Sequence, residues 1–198
     1  MQRIGLTGGI ACGKSTVSAF FQKKGIPVLD ADQVARDVVD VGSQGLAEIV
    51  QSFGEQLLLA DGSLNRLALR RLIISEPSAK KRLESITHPR IFNAMLDWER
   101  SQLLRSHNVC IVDAALMVET GSYQRYDSII VISCENTVQT ARLAKRNQLS
   151  KTEAKNWIAT QMPMAQKVTY ADWLVDNSDS LEQLQKILED NWMKFIRF

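Results

Sequence analysis

The chain has 198 residues, enough for one compact domain with insertions, and its 45% hydrophobic content excludes a disordered protein. With 24 Lys plus Arg against 22 Asp plus Glu, the net charge of +2 excludes a general nucleic-acid surface, so any basic chemistry must be local. Three cysteines, Cys12, Cys110 and Cys134, make no secreted disulfide framework. The N-terminus has no signal-peptide pattern, and no stretch approaches the roughly 18 apolar residues of a membrane span. A cytoplasmic protein without membrane partners is expected.

Residues 3–7 form a short apolar run that ends in glycines and predict a buried strand. Residues 14–24 predict a helix, with Val17, Phe20 and Phe21 on one face and Gly25 as its stop. A second short strand, 27–29, runs into Asp30-Ala31-Asp32. The middle third is helical and strand-poor. Leu46, Ile49, Val50 and Phe53 recur at helical spacing up to Gly54, and residues 64–74 and 79–86 read as helices. Pro89 is expected to open a separate helix through Ile91, Met95, Trp98 and Leu103. Strand patterns return at 109–112 and 128–132, apolar on both faces as in a buried parallel sheet. Residues 137–146 and 152–161 predict a helical hairpin, and 173–175 a last strand. Ser180 opens a final helix that buries Leu181, Leu184, Leu188 and Trp192. This order is α/β, and a three-layer parallel sheet with two helical insertions fits it.

Gly8-Gly9-Ile10-Ala11-Cys12-Gly13-Lys14-Ser15 satisfies G-x-x-x-x-G-K-[ST], the phosphate-loop pattern, between an apolar strand and an amphipathic helix. Glycines let the backbone approach phosphate closely, and the loop N–H groups converge on the anion at a helix start. Lys14 supplies charge to the β- and γ-phosphates of ATP, the Ser15 hydroxyl is the expected Mg²⁺ ligand, and Thr16 reaches the α-phosphate. Gly9, Ala11, Cys12 and Gly13 complete the cradle, with Cys12 read as a spacer.

The loop alone does not separate kinases from other nucleotide enzymes. The chain has no Asn-Lys-x-Asp guanine-reading motif and no Ser-Gly-Gly-Gln transporter signature. A small chain with helical inserts suits a small-molecule kinase. Such an enzyme needs a group near the acceptor hydroxyl, and Asp30 and Asp32 stand just beyond the second strand. On an extended segment they point to opposite sides, so one faces the site; the alternative is a helix cap before Gln33. Transfer also needs positive charge. Arg142, Lys145 and Arg146 share a helix face, which reads either as a solvated basic surface or as charge held over the phosphates.

With these residues in hand, the sequence resembles the dephospho-CoA kinase family over nearly its whole length. The resemblance is carried by the phosphate loop, Asp30-Ala31-Asp32 with Ala35-Arg36, Phe53-Gly54 and Asp61-Gly62-x-Leu64-x-Arg66. It continues through Leu83-Glu84-x-Ile86-x-His88-Pro89, residues 116–119, Gln139-x-x-Arg142-x-x-x-Arg146, Gln161 and residues 171–177. It implies a nucleoside-monophosphate-kinase-like P-loop fold. Its parts are a core (1–32, 106–139 and 169–198), a helical acceptor-binding insert (33–105) and a helical lid (140–168). It implies ATP-dependent phosphorylation of the 3′-hydroxyl of dephospho-CoA, by a protein expected to be a monomer. Asp32 is implied as the acceptor-side carboxylate, Lys14, Arg142 and Arg146 as charge stabilisers, and Asn177 as a residue near the adenine. Arg36, His88 and Asp113 are implied on the acceptor side; His88 reads equally as a structural hydrogen-bonded residue at a helix start, and Asp113 as ordering Mg²⁺ or the acceptor. The chain departs from the family in two places: Ala11-Cys12 replaces Gly and Ser or Ala, and Asp113-Ala114-Ala115-Leu116-Met117 lacks a proline. A kinase for another small hydroxyl acceptor and a non-catalytic nucleotide-binding regulator are the alternative readings.

Overall fold

The computed structural model describes residues 1–196. In chain order its elements are β1 (Gln2–Gly8), α1 (Lys14–Lys23), β2 (Val28–Asp30), α2 (Ala31–Asp37), α3 (Gln44–Phe53), α4 (Arg66–Ser75), α5 (Pro77–Leu104), β3 (Val109–Asp113), β4 (Ser128–Ser133), α6 (Asn136–Asn147), α7 (Lys151–Ile158), α8 (Met164–Lys167), β5 (Trp173–Asp176) and α9 (Leu181–Phe195). The five strands pair in parallel in the order β2-β3-β1-β4-β5. The chain divides into two compact units, one of Met1–Asp30 with the chain from Gln102 onward, the other of Ala31–Ser101. Residues 140–168 fall within the first unit.

The first unit is built on its central strands. Ile4, Leu6, Ile111, Ile130 and Ile132 have no exposed surface, as expected for β-branched and apolar residues covered on both faces. Val17 and Phe21 of α1 and Leu184 and Leu188 of α9 join the same core. Burying each such side chain contributes about 1.5–3 kcal/mol. Ser180 starts α9 by accepting from the Gln183 N–H at 3.3 Å, the predicted cap. The register places Leu6 beside Asp113, Asp113 beside Asp30, and Gly8 beside Ile132. The carboxyl ends of β1, β2, β3 and β4 therefore lie in a row, the edge at which open α/β sheets hold ligands.

The second unit has its own core of Leu46, Ile49, Phe53, Leu57, Leu64 and Leu69. Ser43 caps α3 and Asn65 caps α4, each accepting from the N–H three residues on.

Two local expectations are corrected. Pro89 lies inside α5 and does not start a helix. Ala79 and Met95 are buried on either side of it, and their burial holds both halves in one helix. Proline leaves the Ser85 carbonyl without its ladder N–H; nearby, the Thr87 hydroxyl bonds the Leu83 carbonyl at 2.9 Å and Arg90 donates to the Ile86 carbonyl. Secondly, the extended geometry assumed for Asp30 and Asp32 ends at Asp30. α2 begins at Ala31, so Asp32 occupies a helical first turn, where a carboxylate is favoured by the helix dipole. No helix among the described residues is long and apolar enough to cross a membrane.

Candidate active site

β1 delivers the chain to Gly8, and α1 takes it up at Lys14. The intervening loop folds back on itself through Cys12 N–H to Gly9 O at 3.1 Å and Thr16 N–H to Gly13 O at 3.0 Å. Gly13 lies at φ 95°, in left-handed space, and a Cβ there would collide with the Asn177 side chain. Ala11 also lies in left-handed space, at φ 60°. In that conformation its methyl costs about 1 kcal/mol. No side chain caps α1, and its first turn carries no acidic residue, so its N-terminal end presents the partial positive charge that suits an anion.

Lys14 forms an ion pair with Asp113, the last residue of β3. The carboxylate's other oxygen accepts from the Ser18 hydroxyl at 2.6 Å, one turn along α1. Asp113 is 5% exposed, so the Lys14 charge also keeps that carboxylate from being an uncompensated buried ion. Four buried residues lead into Asp113 on the strand beside the phosphate-loop strand, which brings this carboxylate to the loop.

The loop is braced from several elements. The buried Asn177 side chain donates to the Cys12 carbonyl at 2.8 Å. Arg142 of α6 donates to the Asn177 carbonyl at 2.6 Å and to the Asp179 carbonyl at 3.0 Å, fastening the turn after β5. Gln139 and Gln161 both bond to the backbone of Ile10. Lys167 of α8, wholly buried, donates to the Ala115 carbonyl and pairs with Glu119, each at 2.9 Å. Thr7 reaches the same Ala115 carbonyl at 3.2 Å. These bonds, with Ala114 N–H to Leu6 O at 3.0 Å, hold the segment after β3 without the absent proline. A cleft of about 880 Å³ lies beside the loop, lined by Gly9, Gln139, Lys151, Lys155, Gln161 and Met164 among others.

Cys12 and Cys134 sit with their sulfurs 3.1 Å apart. The hydrogen bond with Cys12, helped by the Arg142 charge, holds the Cys134 thiol below its ordinary value. The same bond, and burial, push the Cys12 thiol up, so Cys12 stays protonated and suits the spacer reading.

Gly9, Ala11, Cys12, Gly13, Lys14, Ser15, Thr16, Asp113, Arg142 and Asn177 all lie in the first unit, and bonds or chain adjacency join them around the loop. The Arg142 and Asn177 contacts run to backbone carbonyls of the loop and of the turn beyond β5. Arg146, one turn further on α6, is exposed and donates to Asn147 at 2.9 Å. Asp32 and Arg36 of α2 and His88 of α5 belong to the second unit, and all three are exposed. Sequence reasoning assigned no role to Ser18, Gln139, Gln161 or Lys167. Ser18 follows Lys14 by one helical turn, a usable signal. The others reach groups far away in sequence, and Gln139 and Gln161 stand out in the chain only among the residues that carry the family resemblance.

A profile of the dephospho-CoA kinase family matches residues 2–183. The dephospho-CoA kinase of Geobacter sulfurreducens is 42% identical over 195 residues, covering 98% of each chain. Among solved structures, a Thermus thermophilus protein superimposes with a TM-score of 0.83 at 29% identity, covering 99% of this chain and 98% of that one. Dephospho-CoA kinase from Campylobacter jejuni gives a TM-score of 0.73 at 28% identity, covering 98% of both chains.

Proposed function

The chain belongs to the dephospho-CoA kinase family, and from that premise we infer that it transfers the γ-phosphoryl group of ATP to dephospho-CoA, releasing ADP and coenzyme A. The acceptor is the ribose 3′-hydroxyl, and the enzyme works in the cytoplasm. The observation that carries this reading is the braced phosphate loop, with Lys14 paired to the carboxylate that ends the neighbouring strand.

In this mechanism the loop amides at 11–16 and the α1 N-terminus hold the β- and γ-phosphates. Lys14 exchanges part of its interaction with Asp113 for the phosphate oxygens and neutralises charge that builds on the transferring group. Arg142 acts through the Asn177 turn, keeping the loop in shape. The exposed Arg146 supplies charge to the phosphoryl group. Asp32 accepts the proton of the acceptor hydroxyl or orients that hydroxyl for in-line attack, a contribution of about 10²–10⁴ in rate. Arg36 and His88 contact the anionic and polar parts of the acceptor.

Mg²⁺ suits the donor set at hand. Ser15 offers a hydroxyl oxygen and Asp113 a carboxylate, both hard donors. Among the described residues no group of three or more His, Cys, Asp or Glu is placed to hold a metal, so phosphate oxygens would complete the coordination. Held by Ser15 and Asp113, the ion would neutralise phosphate charge.

The deciding experiment incubates the protein with ATP, Mg²⁺ and dephospho-CoA and follows products by chromatography, with phosphorus NMR to locate the new ester. ADP and coenzyme A in equal amounts are expected. Folded protein that binds ATP but transfers nothing at millimolar acceptor would refute the reading.

A further inference from the structure

Both backbone polar groups of Ile10, inside the phosphate loop, are taken by side chains from other elements. Its N–H donates to Oε1 of Gln161 at 2.8 Å, and its carbonyl accepts from Nε2 of Gln139 at 2.9 Å. The orientation of each amide is forced, because a backbone N–H only donates and a carbonyl only accepts. Gln139 lies on α6 and Gln161 just beyond α7, so the two bonds come from the two arms of the hairpin. Gln139 is 2% exposed, and a buried amide is tolerated only when its hydrogen bonds are made. Gly9 provides the room: a Cβ there would come within 2.7 Å of Gln139 Nε2 and 2.7 Å of Met164 Cε. The glycine before Ile10 thus serves the side chain that reaches over it.

We propose that Gln139 and Gln161 are positioning residues for the bound nucleotide, fastening the Ile10 backbone to both arms of the hairpin so that cradle and hairpin are set as one unit. The catalytic consequence rests on the kinase reading, whereas the mechanical one rests on the bonds alone. The bonds run in opposite senses. Gln139→Glu removes the donor and faces a carboxylate to a carbonyl, while Gln161→Glu keeps an acceptor for the Ile10 N–H. Glutamate has nearly the volume of glutamine, so a purely space-filling role would leave both variants close to wild type.

The test measures exchange of the Ile10 amide by NMR and the ATP KM in the dephospho-CoA assay, for Leu and Glu variants at both positions. Losing one such hydrogen bond is worth roughly five- to tenfold. Gln161→Leu is expected to speed Ile10 exchange about tenfold, and Gln161→Glu by less than about threefold. Gln139→Leu and Gln139→Glu leave the N–H bond in place. If the arms act together, both still speed Ile10 exchange about fivefold. Both also raise the ATP KM about fivefold, with kcat at saturating ATP changed less than about twofold. Should Gln139→Leu not fold, the isosteric Gln139→Glu carries the test. Unchanged Ile10 exchange in the folded Gln139 variants, or equal behaviour of glutamate at the two sites, overturns the proposal. If the wild-type enzyme transfers nothing to dephospho-CoA, the kinase reading fails while the exchange rates still decide the coupling.

Discussion

The phosphate loop and the helical unit Ala31–Ser101 carry their candidate residues in opposite ways. Around the loop, anchoring runs to backbone: Asn177 to Cys12, Arg142 to Asn177 and Asp179, Gln139 and Gln161 to Ile10. The charged groups there, Lys14 and Asp113, are paired and largely buried. In the helical unit the apolar cluster contains no candidate site residue, and the one buried acid among the described residues there is Glu99. Asp32, Arg36 and His88 stand exposed on helices. A site that must stabilise developing charge gains from groups fixed before the reaction, because fixed dipoles need no reorganisation. The exposed side chains of the helical unit, proposed above to meet the acceptor, are not fixed in this way.

If that contrast is right, removing a loop residue should damage ATP binding and turnover together, and removing an acceptor residue should damage turnover alone. Lys14→Ala is expected to lower kcat/KM for ATP by about 10³-fold, with ATP affinity reduced as well, in steady-state kinetics and a binding titration. Asp32→Asn is expected to lower kcat by about 10²-fold while the ATP KM stays within about threefold of wild type. An equal loss in both parameters would break the comparison and remove the base role. Lys167→Met tests the buried bracing: it leaves Glu119 without its cation and should cost about 3 kcal/mol, a fall in Tm of roughly 6–12 °C by calorimetry. Partial recovery of Tm in the Lys167→Met, Glu119→Gln double variant would sharpen the assignment to that pair. The smallest effect belongs to Ser180→Ala. It removes the α9 cap for about 1 kcal/mol, or about 2–4 °C in Tm, and leaves kcat and ATP KM unchanged.

Much of the fold is legible in the chain. Each expected strand is present to within a residue or two, because continuous β-branched runs have no stable place except a sheet covered on both faces. The helix starts at Ser180 and Lys14 follow from a cap and from a glycine-rich turn, which are local signals. The failures are also physical. Pro89 inside α5 breaks a local rule because burial of Ala79 and Met95 outweighs the lost backbone bond. Asp32 was assigned to an extended segment because a three-residue strand gives no period to show where a helix takes over.

The phosphate loop, its strand and helix, and the family to which the chain belongs are readable from residue types at short fixed spacing. Folding alone brings Lys14 to Asp113, 99 residues away, Gln139 and Gln161 to Ile10, and buries Lys167 against Glu119 and Ala115. A polar side chain reaching a distant backbone group leaves no periodic trace in the chain. Its partner is set by strand order and by which helix ends come to lie at the carboxyl edge of the sheet.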